Sequence, residues 1–366
     1  MEMRNILYEH CSRVTSDDAA QSPSRWALAP LSHLYGFGMF ARARLYAGGL
    51  LQQRALPVKV ISIGNLSVGG TGKTPVVIAV ANALRGKGRR VGVASRGYGR
   101  RAVQEILEVS NGRSRLSNPE QTGDEPLLIA ERCPDVPVAV GADRYAAGRY
   151  LLDRFGIDTL VLDDGFQHLA LKRDVDVVLL DATAALGNSS LLPRGRLRER
   201  MSALERASVI LVTRAGQAKD LAGVLKAIRR VVPALPLCVT TFNATALQKI
   251  GTPESQPPDV LKGERVVALS GIGNPDSFRR LLESLGAVVV DHCLFPDHHL
   301  YSVQDVRVVT QVAAKLRADR VVTTEKDAVK LQLLEDSTGQ AAMWVVRIEL
   351  TWLEGWKEWE RLVLQN

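Results

Sequence analysis

Residues 60–77 read Val-Ile-Ser-Ile-Gly-Asn-Leu-Ser-Val-Gly-Gly-Thr-Gly-Lys-Thr-Pro-Val-Val, and this stretch decides the fold. The apolar run 60–63 predicts a buried strand, and the apolar stretch 76–84 has the length of a helix. Between them, a glycine-rich turn followed by Gly-Lys-Thr is typical of a phosphate-binding loop, in which backbone N–H groups surround an anion at a helix N-terminus. We therefore predict that this chain binds a nucleoside triphosphate.

The predicted loop contains Ser67, Val68, Gly69, Gly70, Thr71, Gly72, Lys73 and Thr74. Lys73 is expected to neutralise the β- and γ-phosphates, and the Thr74 hydroxyl is expected to contact Mg²⁺. Ser67 stands where the general pattern has its first glycine, so the match is Ser-x-x-x-x-Gly-Lys-Thr. The alternative interpretation is an ordinary glycine turn before a helix.

The composition indicates a packed globular protein with an anionic partner. Of the 366 residues, 46% are hydrophobic, and the formal net charge is +8. This charge favours nucleic acid, an acidic lipid surface or a phosphorylated substrate, without choosing among them. The four cysteines are scattered and form no Cys-x-x-Cys pair, which argues against a zinc site or a disulfide framework and fits a reducing compartment.

The N-terminal part divides into two segments of different character. Residues 1–24 form a polar extension, whereas residues 25–57 contain an uncharged, aromatic-rich stretch bordered by Arg25, Arg42 and Arg44. The stretch is too short to cross a bilayer, which requires about 20 apolar residues. It predicts either a segment lying in the interface of an anionic membrane or a helix buried against the core of the protein.

Strand-like and helical runs alternate after the loop, which predicts an α/β fold with a doubly wound, mainly parallel sheet like that of P-loop NTPases. The predicted strands cover 90–94, 136–140, 159–162, 175–180 and 209–212, and the predicted helices cover 125–132, 142–155 and 221–231. Residues 251–259 are rich in proline and are the predicted linker. They separate a nucleotide-binding domain of residues 58–250 from a second, smaller α/β domain of residues 260–366, in which strands are predicted at 265–269, 287–290, 320–323 and 343–350.

Two adjacent carboxylates, Asp163 and Asp164, follow the apolar strand at 159–162. In nucleotide-binding sheets, an aspartate at this strand end holds the Mg²⁺ shell beside the phosphate loop. The alternative is that one of them only caps the turn into Gly165. We predict metal binding because a phosphate loop without such a carboxylate is incomplete.

Three further segments carry candidate residues with alternatives that remain open. Asp124, in Gly-Asp-Glu-Pro, has helix capping as its alternative to catalysis. His298 and His299 form an adjacent pair beside Asp297 in a turn, which is less ordinary than a lone histidine. Residues 323–327 close a strand and open a helix, so they form either a helix cap or a nucleotide contact.

Arginines cluster in two glycine-containing loops, at Arg96, Arg100 and Arg101 and at Arg194, Arg196, Arg198 and Arg200. Arginine in such loops suits planar recognition of phosphate groups. A solvated basic loop is the alternative for any single arginine.

Taken together, these segments resemble the tetraacyldisaccharide 4′-kinase family, the lipid A 4′-kinases of Gram-negative bacteria. They extend from about residue 25 to the end of the chain. The matching motifs begin with Gly64-Asn-Leu and Gly69-Gly-Thr-Gly-Lys-Thr-Pro, followed by Ser95-Arg-Gly-Tyr-Gly, Gly123-Asp-Glu-Pro, Asp163-Asp-Gly-Phe-Gln-His, Leu192-Pro-Arg-Gly-Arg-Leu-Arg-Glu, Pro296-Asp-His and Thr324-Glu-Lys-Asp-Ala-Val-Lys.

The resemblance implies a reaction and a location. The γ-phosphoryl group of ATP is expected to move, with Mg²⁺, to the 4′-hydroxyl of a tetraacylated glucosamine disaccharide 1-phosphate. The enzyme is expected to be a peripheral protein on the cytoplasmic face of the bacterial inner membrane. An acylated substrate supports the interpretation of residues 25–57 as a membrane-associating segment.

The resemblance also implies roles for individual residues. Asp124 is expected to be the base that accepts the hydroxyl proton, supported by His298. Because His298 lies in the predicted second domain, its contact with Asp124 requires closure of a cleft. The expected metal residues are Thr74, Asp163, Asp164 and Glu199; Lys73 completes the catalytic set, and the substrate arginines are Arg96, Arg194 and Arg198.

Two other functions are alternatives to a lipid kinase. A P-loop ATPase that acts as a membrane-recruited nucleotide switch carries a lysine before the paired glycines, where this chain has Val68. A nucleic-acid-stimulated ATPase depends on the basic charge alone, and aromatic residues make up only 5% of the chain, with no evident platform for base stacking. We therefore predict neither a nucleic-acid partner nor an obligate protein partner.

Overall fold

A computed structural model describes residues 27–97, 105–184, 190–334 and 343–365. Within these ranges, thirteen strands form one sheet. In chain order the strands are β1 (Lys59–Asn65), β2 (Val91–Ser95), β3 (Ile106–Asn111), β4 (Pro137–Gly141), β5 (Thr159–Asp163), β6 (Val175–Asp181), β7 (Val209–Thr213), β8 (Leu237–Lys249), β9 (Ser255–Gln256), β10 (Arg265–Ser270), β11 (Val288–Leu294), β12 (Arg320–Thr324) and β13 (Met343–Glu354).

Helices cover both faces of this sheet, as expected when parallel strands are joined by crossover connections. The α-helices of the described ranges are α1 (Ala29–Ala47), α2 (Lys73–Gly86), α3 (Pro119–Thr122), α4 (Asp124–Arg132), α5 (Arg144–Phe155), α6 (Leu221–Val231), α7 (Pro275–Ser284), α8 (Val303–Lys315), α9 (Glu325–Leu331) and α10 (Trp356–Trp359), which continues as a π-helix (Glu360–Leu364). Short 3₁₀ helices cover Met201–Arg206, Ala215–Gln217, Pro258–Leu261 and Gln332–Leu334.

Strand β1 lies near the middle of the sheet, between β5 and β6, and runs parallel to both. The strand order is β11-β10-β12-β13-β8-β7-β6-β1-β5-β2-β4-β3, with β9 beside β8. The pairs β3–β4, β8–β13 and β8–β9 are antiparallel. Val60, Ile61 and Ile63 are buried on the two faces of this strand, which explains why residues 60–63 are apolar apart from Ser62. The predicted α/β class with a mainly parallel sheet is confirmed.

The sheet is continuous across the predicted domain boundary, because β13 pairs with both β12 and β8. Within the predicted linker, β9 pairs with β8. At the C-terminus, Trp359 and Val363 are buried in the same apolar core as Ile61 and Val77 of the nucleotide-binding half. The sequence analysis did not predict β3, β8 or β9. The division into domains at residues 251–259 stays a prediction.

Helix α1 lies on the surface of the protein and is tied to it at two points. Ser32 Oγ donates to the Leu191 carbonyl at 2.8 Å, and Arg42 Nη1 donates to the Gln167 carbonyl at 3.0 Å. The large apolar side chains point outward instead, and Leu34 is 68% exposed. The alternative of a helix buried against the core is therefore wrong. None of the described helices is long and apolar enough to span a membrane.

Candidate active site

The phosphate-binding loop connects β1 to α2 and requires glycine at two positions. Gly69 and Gly72 have φ angles of 109° and 86°, a region that other residues rarely adopt. A Cβ atom on Gly72 would also lie 2.6 Å from the Phe242 ring. Glycine at these positions lets the backbone bend tightly into the N-terminus of α2, where unpaired N–H groups favour an anion.

Side chains from the ends of neighbouring strands hold this loop. Asn65 Nδ2 donates to Thr71 Oγ1, and Thr213 Oγ1 donates to the Thr71 carbonyl, both at 2.9 Å. Arg214 Nη1 donates to the Gly70 carbonyl at 2.7 Å. The sequence analysis missed Thr213 and Arg214, although their position directly after the apolar run 209–212 is where parallel sheets place binding residues.

Lys73 and Arg198 both approach Asp164, which follows the end of β5. Lys73 Nζ lies 3.6 Å from Asp164 Oδ1, and Arg198 Nη1 donates to both oxygens at 2.9 and 2.8 Å. Burial alone raises the pKa of Asp164, but the charges of Lys73 and Arg198 bring it below its ordinary value. The structure thus brings together three predicted residues from separate parts of the chain.

Asp163 has one oxygen available for a cation. Ser95 Oγ donates to Asp163 Oδ2 at 2.8 Å, whereas the buried Oδ1 has no hydrogen-bond partner among the described residues. Burial, with the neighbouring carboxylates of Glu125 and Asp164, raises the pKa of Asp163 above its ordinary value. A buried carboxylate in these surroundings fits a divalent cation, whose charge would favour its ionised form.

This donor set suits Mg²⁺ in particular. Mg²⁺ is commonly held by one or two carboxylates together with phosphate oxygens and water, rather than by a cage of protein ligands. The described part of the chain contains no group of three acidic, histidine or cysteine side chains arranged to hold a metal ion. Thr74, in the first turn of α2, is buried, as is Asp163.

Glu199 belongs to the same polar network but contacts it indirectly. Its carboxylate pairs with Arg206 at 2.9 Å and accepts a hydrogen bond from Gln167 Nε2 at 3.1 Å. Gln167 Oε1 in turn accepts from Arg198 Nη1 at 3.3 Å, and Arg198 binds Asp164. The predicted role of Glu199 at the metal stays a prediction.

Asp124 is buried at the start of α4 and is only 4% exposed. The N-cap position belongs to Gly123, so the interpretation of Asp124 as the capping residue is wrong. Asp124 Oδ1 lies 2.9 Å from His298 Nδ1, and Lys330 Nζ donates to Asp124 Oδ2 at 3.2 Å. His299 does not share this contact, because its ring lies 3.2 Å from Asp305.

Positive charge around Asp124 overcomes the effect of its burial. Burial raises the pKa of Asp124, but Lys326, His298 and Lys330 bring it well below the ordinary value of an aspartate. The side chain is therefore ionised at neutral pH. An ionised carboxylate that is held by His298, Lys330 and the Glu125 nitrogen can accept a proton from a hydroxyl group that is placed beside it.

The predicted second domain also contacts the phosphate loop. A Cβ atom on Gly273, which follows β10, would lie 2.7 Å from the Gly70 nitrogen. Asn274 Nδ2 donates to Asp181 Oδ2 at 3.3 Å, at the end of β6. Sequence reasoning missed this loop, although its Gly-Ile-Gly-Asn-Pro sequence at the end of a predicted strand is the kind of turn that approaches phosphates.

Sequence reasoning also missed Lys326 and Lys330, which lie on α9 and reach α4. Thr324 caps this helix, and its side chain accepts a hydrogen bond from the Asp327 nitrogen. Of the two interpretations of residues 323–327, the helix cap is confirmed. Two lysines among the acidic residues of a short helix form no pattern that identifies the distant Asp124 as their partner.

The predicted substrate arginines differ in their surroundings. Arg96 is exposed directly after β2, and Arg194 is half-buried. Arg100 and Arg101 lie outside the described residues. Arg144 was not predicted, although it is 4% exposed and its Nε has no hydrogen-bond partner among the described residues. A cation is unfavourable at the start of a helix such as α5, and this position could have identified Arg144 as a candidate functional residue.

A family model described as Tetraacyldisaccharide-1-P 4'-kinase matches residues 24–366. This chain belongs to the tetraacyldisaccharide 4′-kinase family. Two similar members are the Tetraacyldisaccharide 4'-kinase of Syntrophus aciditrophicus, 38% identical over 98% of both chains, and that of Anaeromyxobacter sp. strain Fw109-5, 44% identical over 83% of this chain and 82% of the other.

The family is also represented among solved structures. The LpxK of Aquifex aeolicus, crystallised in complex with ATP, has a TM-score of 0.72 and 32% sequence identity, covering 93% of this chain and 98% of the other. The predicted membership of the tetraacyldisaccharide 4′-kinase family is therefore confirmed. The predicted P-loop kinase fold and the prediction that the chain is a kinase are confirmed with it.

Proposed function

We propose that this chain transfers the γ-phosphate of ATP to the 4′-hydroxyl of a tetraacylated glucosamine disaccharide 1-phosphate, a step of lipid A biosynthesis. The observation that carries the proposal is the 2.9 Å contact between Asp124 Oδ1 and His298 Nδ1. This pair adjoins the phosphate loop, because Asp297 lies beside Gly273, and Gly273 contacts Gly70.

Phosphoryl transfer depends mainly on positioning and on neutralisation of charge. Asp124 accepts the proton of the sugar hydroxyl while the hydroxyl oxygen bonds to the γ-phosphorus, the bond from that phosphorus to the β,γ-bridging oxygen breaks, and ADP leaves. The lowered pKa of Asp124 keeps it in the ionised form that can accept the proton. His298 and Lys330 hold the carboxylate in place. Lys73 neutralises charge on the β- and γ-phosphates.

The residues that would hold Mg²⁺ are Thr74 and Asp163, with Asp164 and Glu199 orienting its waters. When bound, Mg²⁺ supplies neutralisation of the charge on the transferred phosphoryl group. The unpartnered Oδ1 of Asp163 supports this assignment.

The lipid substrate reaches the site from an anionic membrane surface, beside which α1 lies. Its exposed Leu34 and Phe37 insert among the acyl chains, and Arg44 attracts acidic headgroups. Arg42 ties α1 to the Gln167 carbonyl, four residues after Asp163. The protein therefore acts as a peripheral enzyme on the cytoplasmic face of the bacterial inner membrane, where Arg96, Arg194 and Arg198 recognise the anionic groups of the substrate.

Mass spectrometry of lipids tests the proposal directly. The purified chain is incubated with the disaccharide lipid, ATP and Mg²⁺, and the expected product carries one added phosphate. A Lys73→Met variant is the control for contaminating kinases. ATP hydrolysis that vesicles stimulate, with the lipid unchanged, would instead favour the membrane-recruited nucleotide switch.

A further inference from the structure

Lys326 Nζ lies between two carboxylate oxygens and a ring nitrogen of His298, at the junction of α4 and α9. It is 3.1 Å from Glu125 Oε1, 3.0 Å from Asp297 Oδ1 and 3.4 Å from His298 Nε2. An ammonium group has three N–H donors and no acceptor. The contact with His298 is therefore a hydrogen bond only when Nε2 of the ring carries a lone pair.

The other ring nitrogen of His298, Nδ1, must instead carry a hydrogen. His298 Nδ1 lies 2.9 Å from Asp124 Oδ1, and an ionised carboxylate only accepts hydrogen bonds. The neutral Nδ1–H tautomer satisfies both contacts. The Nε2–H tautomer satisfies neither, because it turns an N–H toward the ammonium and a lone pair toward the carboxylate.

We propose that Lys326 is a positioning residue that fixes His298 as the neutral Nδ1–H tautomer, so that the ring donates to Asp124 without protonating it. Lys326 is itself held firmly, because its side chain is only 16% exposed and two carboxylates bind it. Glu125 comes from α4 and Asp297 from the turn before His298. The ammonium therefore stays opposite Nε2 as long as the two halves of the protein remain in contact.

Charged groups of both signs face His298, from three elements of the fold. Among the described residues, Asp124 of α4, Asp297 of the turn and Lys326 of α9 lie next to the ring. Glu125 and Lys330 stand one contact further away, because they pair with Lys326 and Asp124. Burial lowers the pKa of His298, its hydrogen bond to Asp124 raises it, and Lys326 lowers it; the pKa lies above its ordinary value. Lys326 thus opposes the effect of the carboxylates on the pKa of the ring.

The consequence for catalysis rests on the proposed function of Asp124 as the base. A neutral ring leaves the full negative charge of Asp124 available for the hydroxyl proton. An imidazolium would form a charged pair with Asp124 and reduce its basicity. Loss of Lys326 is therefore expected to shift the acidic limb of the activity profile to higher pH.

The tautomer can be measured without ATP or lipid, so its failure is distinct from failure of the proposed function. The full chain is labelled with ¹⁵N-histidine and its nitrogen shifts are recorded at pH 8.5, with His298→Gln used to assign the His298 signals. We expect a protonated Nδ1 and an unprotonated Nε2. An unprotonated Nδ1 with a protonated Nε2 would overturn the proposal.

Lys326→Met tests the positioning role. In this variant we expect kcat at neutral pH to fall at least about tenfold and to recover in part at higher pH, with KM for ATP little changed. Lys315→Met removes an equal charge from the exposed end of α8 and is the matched control. If folded Lys326→Met has an unchanged pH profile and unchanged ¹⁵N shifts of His298, the proposal is contradicted. If this variant does not fold, the same measurements on Lys326→Arg and the spectrum of the wild-type protein decide the proposal.

Discussion

Replacement of Asp124 by asparagine is the sharpest test of the catalytic arrangement. The change keeps the size of the side chain but removes its charge. In the protein, Asp124 Oδ1 accepts hydrogen bonds from His298 Nδ1 and the Glu125 nitrogen, and Oδ2 accepts one from Lys330. An asparagine offers one oxygen and one NH₂ group, so a donor faces either His298 Nδ1 or the Lys330 ammonium.

The expected loss of activity follows from the removal of the base. Proton transfer by a positioned side chain contributes about 10²–10⁴ in rate, and we expect kcat of Asp124→Asn to fall by this factor. A loss of this size corresponds to about 3–5 kcal/mol in the activation barrier.

The same substitution is expected to lower the free energy of unfolding. Removal of one partner of a buried ion pair costs about 3–5 kcal/mol. Lys330 retains a second partner, since its Nζ lies 3.2 Å from Asp327 Oδ1. We therefore expect the lower end of this range, about 3 kcal/mol.

The assay combines three measurements on the variant: kcat with lipid and ATP, the Kd for ATP, and urea unfolding. The Kd for ATP is expected to stay within about twofold of the wild-type value, because Asp124 is outside the phosphate loop. Asp153→Asn, on an exposed turn of α5, is the control and should behave as wild type. A kcat within tenfold of wild type, or a loss of ATP affinity as large as the loss of kcat, would refute the reasoning.

Three further predictions concern the phosphate loop, helix α1 and the dependence of stability on pH. Gly72→Ala is expected to weaken ATP binding at least about tenfold by calorimetry, because its φ of 86° is strained for alanine; Gly86→Ala, with no neighbour near the added methyl group, is the control. Leu34→Ser is expected to lower sedimentation with anionic vesicles about tenfold, since burial of a leucine contributes about 1.5–3 kcal/mol; Leu294→Ser, at a similarly exposed leucine, is the control. In urea unfolding, His298→Gln is expected to be more destabilising at pH 5.5 than at pH 9. The pKa of His298 is raised in the folded protein, so protonation of His298 stabilises the folded state below its ordinary pKa of about 6.5. This contribution is lost as the pH rises through the pKa of His298 in the folded protein.

Each of these predictions has a clear contrary result. Equal ATP affinity for the Gly72 and Gly86 variants would mean that the loop tolerates a side chain. Equal vesicle binding for the Leu34 and Leu294 variants would remove α1 from the membrane interface. A destabilisation by His298→Gln that is larger at pH 9 would mean that the pKa of His298 is lowered in the folded protein.

The phosphate loop and the carboxylates after β5 could be predicted because their information is local. The positive φ of Gly72 favours glycine wherever the chain bends in this way, and Lys73 is the next residue in the sequence. The apolar run before Asp163 could be predicted as a strand because a central parallel strand is buried on both faces and is therefore apolar throughout. Neighbouring residues alone fix these features, so a single sequence shows them.

Strand β8 could not be predicted for the opposite reason. Its sequence mixes Thr, Asn and Gln with apolar residues, and its burial alternates only in part. What makes it a strand is antiparallel pairing with β13, about a hundred residues later in the chain. Backbone hydrogen bonds between distant segments leave no periodic pattern in either one.

The sequence by itself determined that this chain has a phosphate loop and a strand ending in carboxylates, and it left open whether the apolar N-terminal segment is buried against the core. Only the tertiary structure decided that Lys326 and Lys330 of α9 meet Asp124 and His298. Along the chain, the two lysines of α9 lie about two hundred positions from Asp124 and Glu125, and their side chains are largely buried because the two halves of the protein pack together. Charge and burial at such a junction depend on that packing, which no local pattern of residues encodes.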